Sequence, residues 1–263
     1  MSAVVDLGEL PDIGPAALCM GVFDGVHLGH CALAERTVAV AGAGVASVAL
    51  MFDPPPIEVI RPDERVPRLA PAAENLRRLA ATGIAHPVGL RFTEEMRQLP
   101  PDAFLAALAP AIDVRVLVLT PDSAFGRGRA GTPTAMRALG AVAGFEVVVL
   151  EALVEIGEDP VSSSRVRTAL GAGDIGLATR LLGGPPILIG ALGTDGTMSF
   201  DYLPALPLSG TYGGTARPPD GLGRGGAPIT VAVGAAGDVR VTGARSDDRG
   251  TMVRIELTKR LPD

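Results

Sequence analysis

The sequence predicts an α/β fold built on a parallel sheet, followed by a small all-β domain. Three observations carry this reading. Short apolar runs of strand length alternate with segments of helical spacing up to residue 182, the pattern of a parallel sheet covered on both faces. A glycine–proline string at 183–186 then interrupts the chain. Beyond it glycine is dense, helical periodicity vanishes, and short β-like runs appear at 187–189, 229–233, 239–241 and 252–257. The expected domains are therefore 1–184 and 187–263, the second near the lower size for independent folding. The loop 217–227 is expected to be mobile. No internal repeat is present.

Taken in order, 16–20 reads as a buried strand. Glycines at 21, 25 and 29 interrupt the next segment, and the alanine-rich 31–43 reads as a helix. His27 and His30 thus stand three residues apart at a strand-to-helix turn, where backbone N–H groups and the helix dipole suit a phosphate. The apolar run 45–52 is a strand, stopped by Asp53-Pro54-Pro55-Pro56. Residues 72–82 carry Leu76, Leu79 and Ala80 at helical spacing and end at Gly83. A short strand is expected at 87–90 and a helix at 102–109, framed by Pro101 and Pro110. The run 114–120 is the clearest strand and feeds a Gly/Arg-rich loop, 122–131. A helix at 133–142, a strand at 145–150, and helices at 162–170 and 175–182 complete the first part. Crossovers in such sheets are right-handed, and ligands bind at the carboxyl ends of the strands. The loops 21–30, 53–56 and 121–131 all come directly after strand-like runs, so they are expected to share one cleft.

Composition narrows the function. The chain is 47% hydrophobic and 20% charged, which supports a sizeable core. Its formal charge of −6 argues against a nucleic-acid partner, which calls for a basic field. Lys259 is the only lysine, so the positive charge is nearly all arginine, a residue suited to phosphate. No apolar stretch is long enough to span a membrane, and 1–8 carries no basic leader. Two cysteines, Cys19 and Cys31, give no disulfide framework and read as small apolar residues beside the turn. A cytoplasmic protein is expected.

Three strings carry chemistry. His27-Leu28-Gly29-His30 suits nucleotidyl transfer: two imidazoles at a helix start can hydrogen-bond phosphate oxygens as charge builds, and Gly29 allows a nucleotide close to the backbone. The same string also fits two capping or packing histidines. Zinc is disfavoured, since His86 is the only other histidine and no carboxylate cluster supports it. Ser162-Ser163-Ser164-Arg165-Val166-Arg167 opens a helix. Arg167 shares a face with Ser163 and Ser164 while Arg165 points away, giving either a triphosphate clamp or an ordinary capped helix. The loop from Asp122 to Arg129 brings charge and the Phe125 ring to a strand end, or is a solvated turn.

Together, GVFDGVHLGH, FDPPPIEV, RFTEEM, PDSAFGRGRAG and VSSSRVR resemble, in order and spacing, the bacterial FAD synthetase family, the bifunctional riboflavin kinase/FMN adenylyltransferases. The resemblance covers about 16–182. It implies a Rossmann-like nucleotidyltransferase domain and a small C-terminal β-barrel-like domain, with ATP and FMN as substrates and Mg²⁺ as cofactor. It implies that His27, His30 and Arg167 act on the reacting phosphates. Gly21, Phe23, Asp24, Gly25, Gly29, Ser163 and Ser164 would bind ATP, and Phe52, Pro54, Asp122, Phe125 and Arg127 would lie toward the flavin. No protein metal ligand is expected.

The chain departs from the family at several points. Pro55 stands where the family has histidine, and Thr120 and Ser123 replace a glycine and an aromatic in the third loop. The segment 250–261 resembles the last strand of the kinase domain. Set against the resemblance, the kinase's Pro-Thr-Ala-Asn string is missing from 197–203, its glutamate base is expected to fall at Arg240, and no helix is expected after the last strand. The expectation is adenylyl transfer without riboflavin kinase activity. Two alternatives stand beside it: the same chemistry on another phosphorylated or modified flavin, or a non-catalytic flavin- or nucleotide-binding paralogue.

Overall fold

The computed structural model describes residues 4–220 and 226–262, so 221–225, within the loop 217–227 expected to be mobile, lie outside the described residues. The chain divides into two compact units. One comprises 1–66 and 75–155, the other 67–74 and 156–263. In chain order the elements are β1 (Val4–Val5), β2 (Gly14–Gly21), α1 (Leu28–Val40), β3 (Ala46–Asp53), α2 (Pro56–Ile60), α3 (Ala72–Ala81), β4 (His86–Arg91), α4 (Glu94–Arg97), α5 (Pro101–Leu108), β5 (Ile112–Leu119), α6 (Pro133–Ala143) and β6 (Glu146–Val149). They continue as β7 (Glu155–Ile156), β8 (Asp159–Pro160), α7 (Ser163–Gly171), α8 (Ile175–Leu182), β9 (Ile187–Leu192), β10 (Met198–Ser199), β11 (Gly210–Arg217), β12 (Ala227–Val233), β13 (Val239–Thr242) and β14 (Thr251–Arg260).

The first unit is the expected α/β domain. Its sheet runs β1-β4-β3-β2-β5-β6, with every neighbouring pair parallel. The central strands are apolar along their length because both faces are covered: Leu18, Leu50, Leu90 and Leu117 are fully buried. Strand order reverses between β2 and β5, which makes their carboxyl ends the topological switch point.

Helix α1 begins at Leu28, three residues before the alanine-rich pattern, because His27 caps it: the His27 Nδ1 accepts the His30 N–H at 3.4 Å. The structure adds β1, α2 and α4, elements too short for periodicity to register. Helix α2 starts with Pro56 at its first position. Helix α4 starts where the Thr93 hydroxyl accepts the Met96 N–H at 3.2 Å.

The second unit holds a six-stranded antiparallel sheet in the order β10-β9-β14-β11-β12-β13. Its two ends meet through a Thr197–Arg240 bridge and a 2.8 Å bond from the Val241 N–H to the Gly196 carbonyl, so the sheet nearly closes into a barrel. Strand β11 is not legible in the sequence, because its glycines hide it. The register with β14 shifts between Gly213 and Gly214, and a Cβ on Gly214 would lie 2.8 Å from the Glu256 carbonyl oxygen. Such glycines mark a bulge with close backbone approach rather than a loop.

Helices α7 and α8 group with this unit, as does the segment 67–74. That segment is held by the Arg68 N–H on the Leu203 carbonyl at 2.7 Å and by Ala70 packed on Ile187 and Ile189.

A charged cluster in the second unit is centred on the buried Arg254–Glu74 pair. The Arg254 Nη1 meets the Glu74 Oε1 at 2.5 Å and its Nε meets the Glu256 Oε1 at 3.3 Å, while the Arg217 Nε meets the Glu256 Oε2 at 3.1 Å. Removing one partner of a buried pair strands the other charge, at about 3–5 kcal/mol. Glu74→Ala is therefore expected to lower the urea midpoint of the second unit sharply. Replacing Glu74 and Arg254 together by Leu and Met is expected to lower it less than the single change. A double variant worse than the single one would contradict this account.

Candidate functional site

The turn between β2 and α1 is built against backbone preference. Phe23 (φ 52°), Gly25 (φ 79°) and Val26 (φ 45°) all lie in the left-handed region, which only glycine occupies freely. A β-branched valine there is held by its surroundings. The Gly25 peptide is gripped at both ends from α3: the Asn75 Oδ1 accepts its N–H at 2.9 Å, and the Arg78 Nη1 donates to its carbonyl oxygen at 2.8 Å. The Val26 N–H closes onto the Phe23 carbonyl at 3.2 Å.

This turn brings the two histidines together. Their rings stack with centroids 3.7 Å apart and planes 17° apart, and the Phe23 edge meets the His30 ring at 5.1 Å. Phe23 is fully buried, and Asp24, Gly25 and His27 are buried with it. Phe23 therefore supports the imidazoles from below. Because the His27 Nδ1 accepts the cap bond, its proton lies on Nε2. The His30 Nδ1 is shut off from solvent and, among the described residues, has no hydrogen-bond partner. Burial, and after it the charge of His27, hold the His30 imidazole well below its ordinary value. Gly29 sits in the first turn of α1. Cys19 is buried, its thiol pushed up to about 12 by burial, and Cys31 is partly buried; neither pairs in a disulfide.

Beside the turn, at the switch point, lies an apolar cavity of about 370 Å³, within the range of small-molecule sites. Four of the chain's seven phenylalanines line it, Phe52, Phe92, Phe104 and Phe125. They touch edge to face, Phe52 with Phe92 at 5.6 Å and with Phe104 at 6.1 Å, and Phe104 with Phe125 at 6.2 Å. Gly21 and Val22 form the wall nearest the histidine turn in sequence.

Of the residues read toward a flavin, Phe52 and Phe125 line this cavity, and Pro54, Asp122 and Arg127 do not. Asp122 instead accepts the Thr120 hydroxyl at 2.7 Å, and that hydroxyl also meets the Ser123 Oγ at 2.8 Å. Ser163, Ser164 and Arg167 belong to α7 of the second unit. The Arg167 Nε donates to the Pro67 carbonyl at 2.7 Å, and Arg165 turns away to the Asp159 and Ile156 carbonyls, both at 2.6 Å.

Sequence reasoning misses Asn75 and Arg78, which shape the turn, and Phe92, Met96, Phe104 and Arg129, which line the cavity. The rarity of aromatic residues is the one signal that points to the phenylalanines. Among the described residues no group of three or more His, Cys, Asp or Glu could hold a metal ion, and no helix is long and apolar enough to cross a membrane.

The geometry of the turn predicts two outcomes. Asn75→Ala leaves the buried Gly25 N–H without its acceptor and is expected to cost about 1–3 kcal/mol in chemical denaturation. The folded chain keeps His30 neutral where the unfolded chain protonates it. Stability should therefore fall as pH drops below about 6.5, by at most about 1.4 kcal/mol per pH unit. His30→Asn should flatten that part of a thermal-melting profile; an unchanged slope would count against a buried neutral imidazole.

Sequence comparison with known proteins gives one family. The family described as FAD synthetase matches residues 11–165. A bifunctional riboflavin kinase/FMN adenylyltransferase from Escherichia coli strain K12 is 31% identical over 182 residues, 68% of this chain and 58% of that protein. One from Pseudomonas fluorescens is 37% identical over 175 residues, 63% of this chain and 53% of that protein. The chain thus spans little more than half the length of these relatives. An FAD synthetase from Listeria monocytogenes is 28% identical over 212 residues, 79% of this chain and 84% of that protein. A solved structure titled as a macrolide-efflux protein from Streptococcus pneumoniae superposes with a TM-score of 0.85 at 20% identity, covering 99% of this chain and 91% of that one, and shows the fold alone. With the family match spanning more than half of its length, and the strand-to-helix turn carrying both histidines inside that match, the chain belongs to the FAD synthetase family.

Proposed function

We propose that this chain is a cytoplasmic FMN adenylyltransferase, joining ATP and FMN into FAD and pyrophosphate without riboflavin kinase activity. The observation that carries the reading is the pairing, within one unit, of a stacked histidine pair at a helix N-terminus with an adjacent phenylalanine-lined cavity. The first suits phosphates; the second suits a planar aromatic ring. A phosphate oxygen of FMN attacks the α-phosphorus of ATP, the new P–O bond forms, and pyrophosphate leaves with the electrons of the broken one. The His27 Nε2–H donates to a phosphate oxygen as charge builds on it. The free N–H groups at the start of α1 add the dipole of the helix. Neutral His30 stacks on His27 and fixes its ring.

A phosphate-binding role for Ser163, Ser164 and Arg167, in the second unit, rests on motif order alone. Asp24, Gly25 and Gly29 form the nucleotide side of the turn. Mg²⁺ carried by the triphosphate needs only one or two protein carboxylates, and the described residues offer no larger cluster; its chemistry when bound is to neutralise phosphate charge.

A second reading keeps the chemistry and changes the acceptor. It rests on the Thr120–Asp122–Ser123 hydrogen bonds and on buried Pro55 at the start of α2, both at positions where the family differs.

Incubation with ATP, Mg²⁺ and FMN should yield FAD and pyrophosphate in equal amounts. Pyrophosphate release only with another phosphorylated flavin would favour the second reading, and nucleotide binding without turnover would make the chain a non-catalytic paralogue. Riboflavin with ATP and Mg²⁺ should yield no FMN. His30→Ala should lower kcat about 100-fold while the unfolding midpoint moves little; a variant with full kcat would remove His30 from the mechanism.

A further inference from the structure

The cavity has one feature that the transfer reaction does not explain. Its walls are phenylalanine, methionine and leucine, and few side chains bring polar groups to it. Arg97 is bound to Glu94 through its Nε at 2.7 Å, and the Ser123 hydroxyl is engaged with Thr120. Arg129 is exposed at the rim, and among the described residues its guanidinium has no partner.

The backbone of Arg129 is unusual. Its φ is 58°, and it lies with left-handed Gly126 and Gly128 in the loop that the Phe125–Gly131 bridge closes. Glycine would adopt this conformation without strain, so the arginine side chain stands where backbone preference argues against it. An outlier of this kind at a cavity rim points to function.

From this geometry we infer that Arg129 orients the acceptor by hydrogen-bonding the carbonyl-rich polar edge of its aromatic ring system. The inference rests on the reading of the cavity as the flavin site. A fused ring with one apolar edge and one edge of carbonyl groups cannot turn the polar edge into the phenylalanine wall without losing its hydrogen bonds. The guanidinium at the rim offers donors in a planar fork. With the polar edge at Arg129, the phosphate-bearing tail is free to leave along Gly21 and Val22, the strand end that leads to His27. Arg129 is thus an orienting residue that reads the ring, distinct from the groups that read phosphate.

The test compares FMN and riboflavin, which share the ring and differ in the phosphate. Binding of each is followed by quenching of flavin fluorescence on the full chain. Arg129→Gly removes the guanidinium and keeps the left-handed backbone. It should weaken both flavins by the same factor, about tenfold, with the melting temperature unchanged or raised. Arg129→Lys should recover part of the loss. Unaltered affinity in Arg129→Gly would overturn the inference, and so would a loss confined to FMN, which would make Arg129 a phosphate ligand. Wild-type protein that binds neither flavin would overturn the reading of the cavity itself, and the inference with it.

Discussion

The Gly25 peptide, gripped by Asn75 on its N–H and by Arg78 on its carbonyl oxygen, is the constraint on which the candidate site depends. Between β2 and α1 the chain must pass through three left-handed residues, two of them not glycine. Such a path is costly and persists only when neighbours over-determine it. Asn75 and Arg78 do so from α3, about fifty positions further along the chain. Once the path is held, Phe23 is driven into the core, His27 falls at the helix cap, and His30 lands on the next turn against both rings.

The second determinant is topological. Strand order reverses beside β2, so the chain leaves β2 and β5 in opposite directions and opens a crevice at their carboxyl ends. The phenylalanines that fill the walls come from the end of β3, the loop after β4, α5 and the loop after β5. No two of them are close in sequence. The crevice gives them a common boundary, and edge-to-face contact makes them one surface.

The second unit uses different physics. Its sheet reaches near-closure by pairing Thr197 with Arg240, which relieves the exposed edges of an open sheet. On the face of β14 opposite Val253, Ile255 and Leu257, Arg254 joins two carboxylates while Glu256 also takes Arg217. Such a cluster adds little net stability compared with an apolar core but penalises any arrangement that separates its members.

Periodicity and composition alone determined the α/β class, the order of the long strands and helices, and the β-rich end of the chain, because apolar spacing is a local property that packing then obeys. The family motifs were legible for the same reason: His27 and His30, or Ser162 and Arg165, sit within one turn of each other. What only the tertiary structure decided was everything that joins distant residues. Nothing in the local pattern of α3 marks Asn75, whose role comes from its contact with Gly25. Gly213 and Gly214 carry no strand pattern, and only the pairing with β14 shows the bulge there; Phe92, Phe104 and Arg129 come from separate segments that only the fold brings to one cavity. A hydrogen bond or a ring contact is chosen by where the folded backbone delivers each group, and no local pattern of residues encodes that delivery.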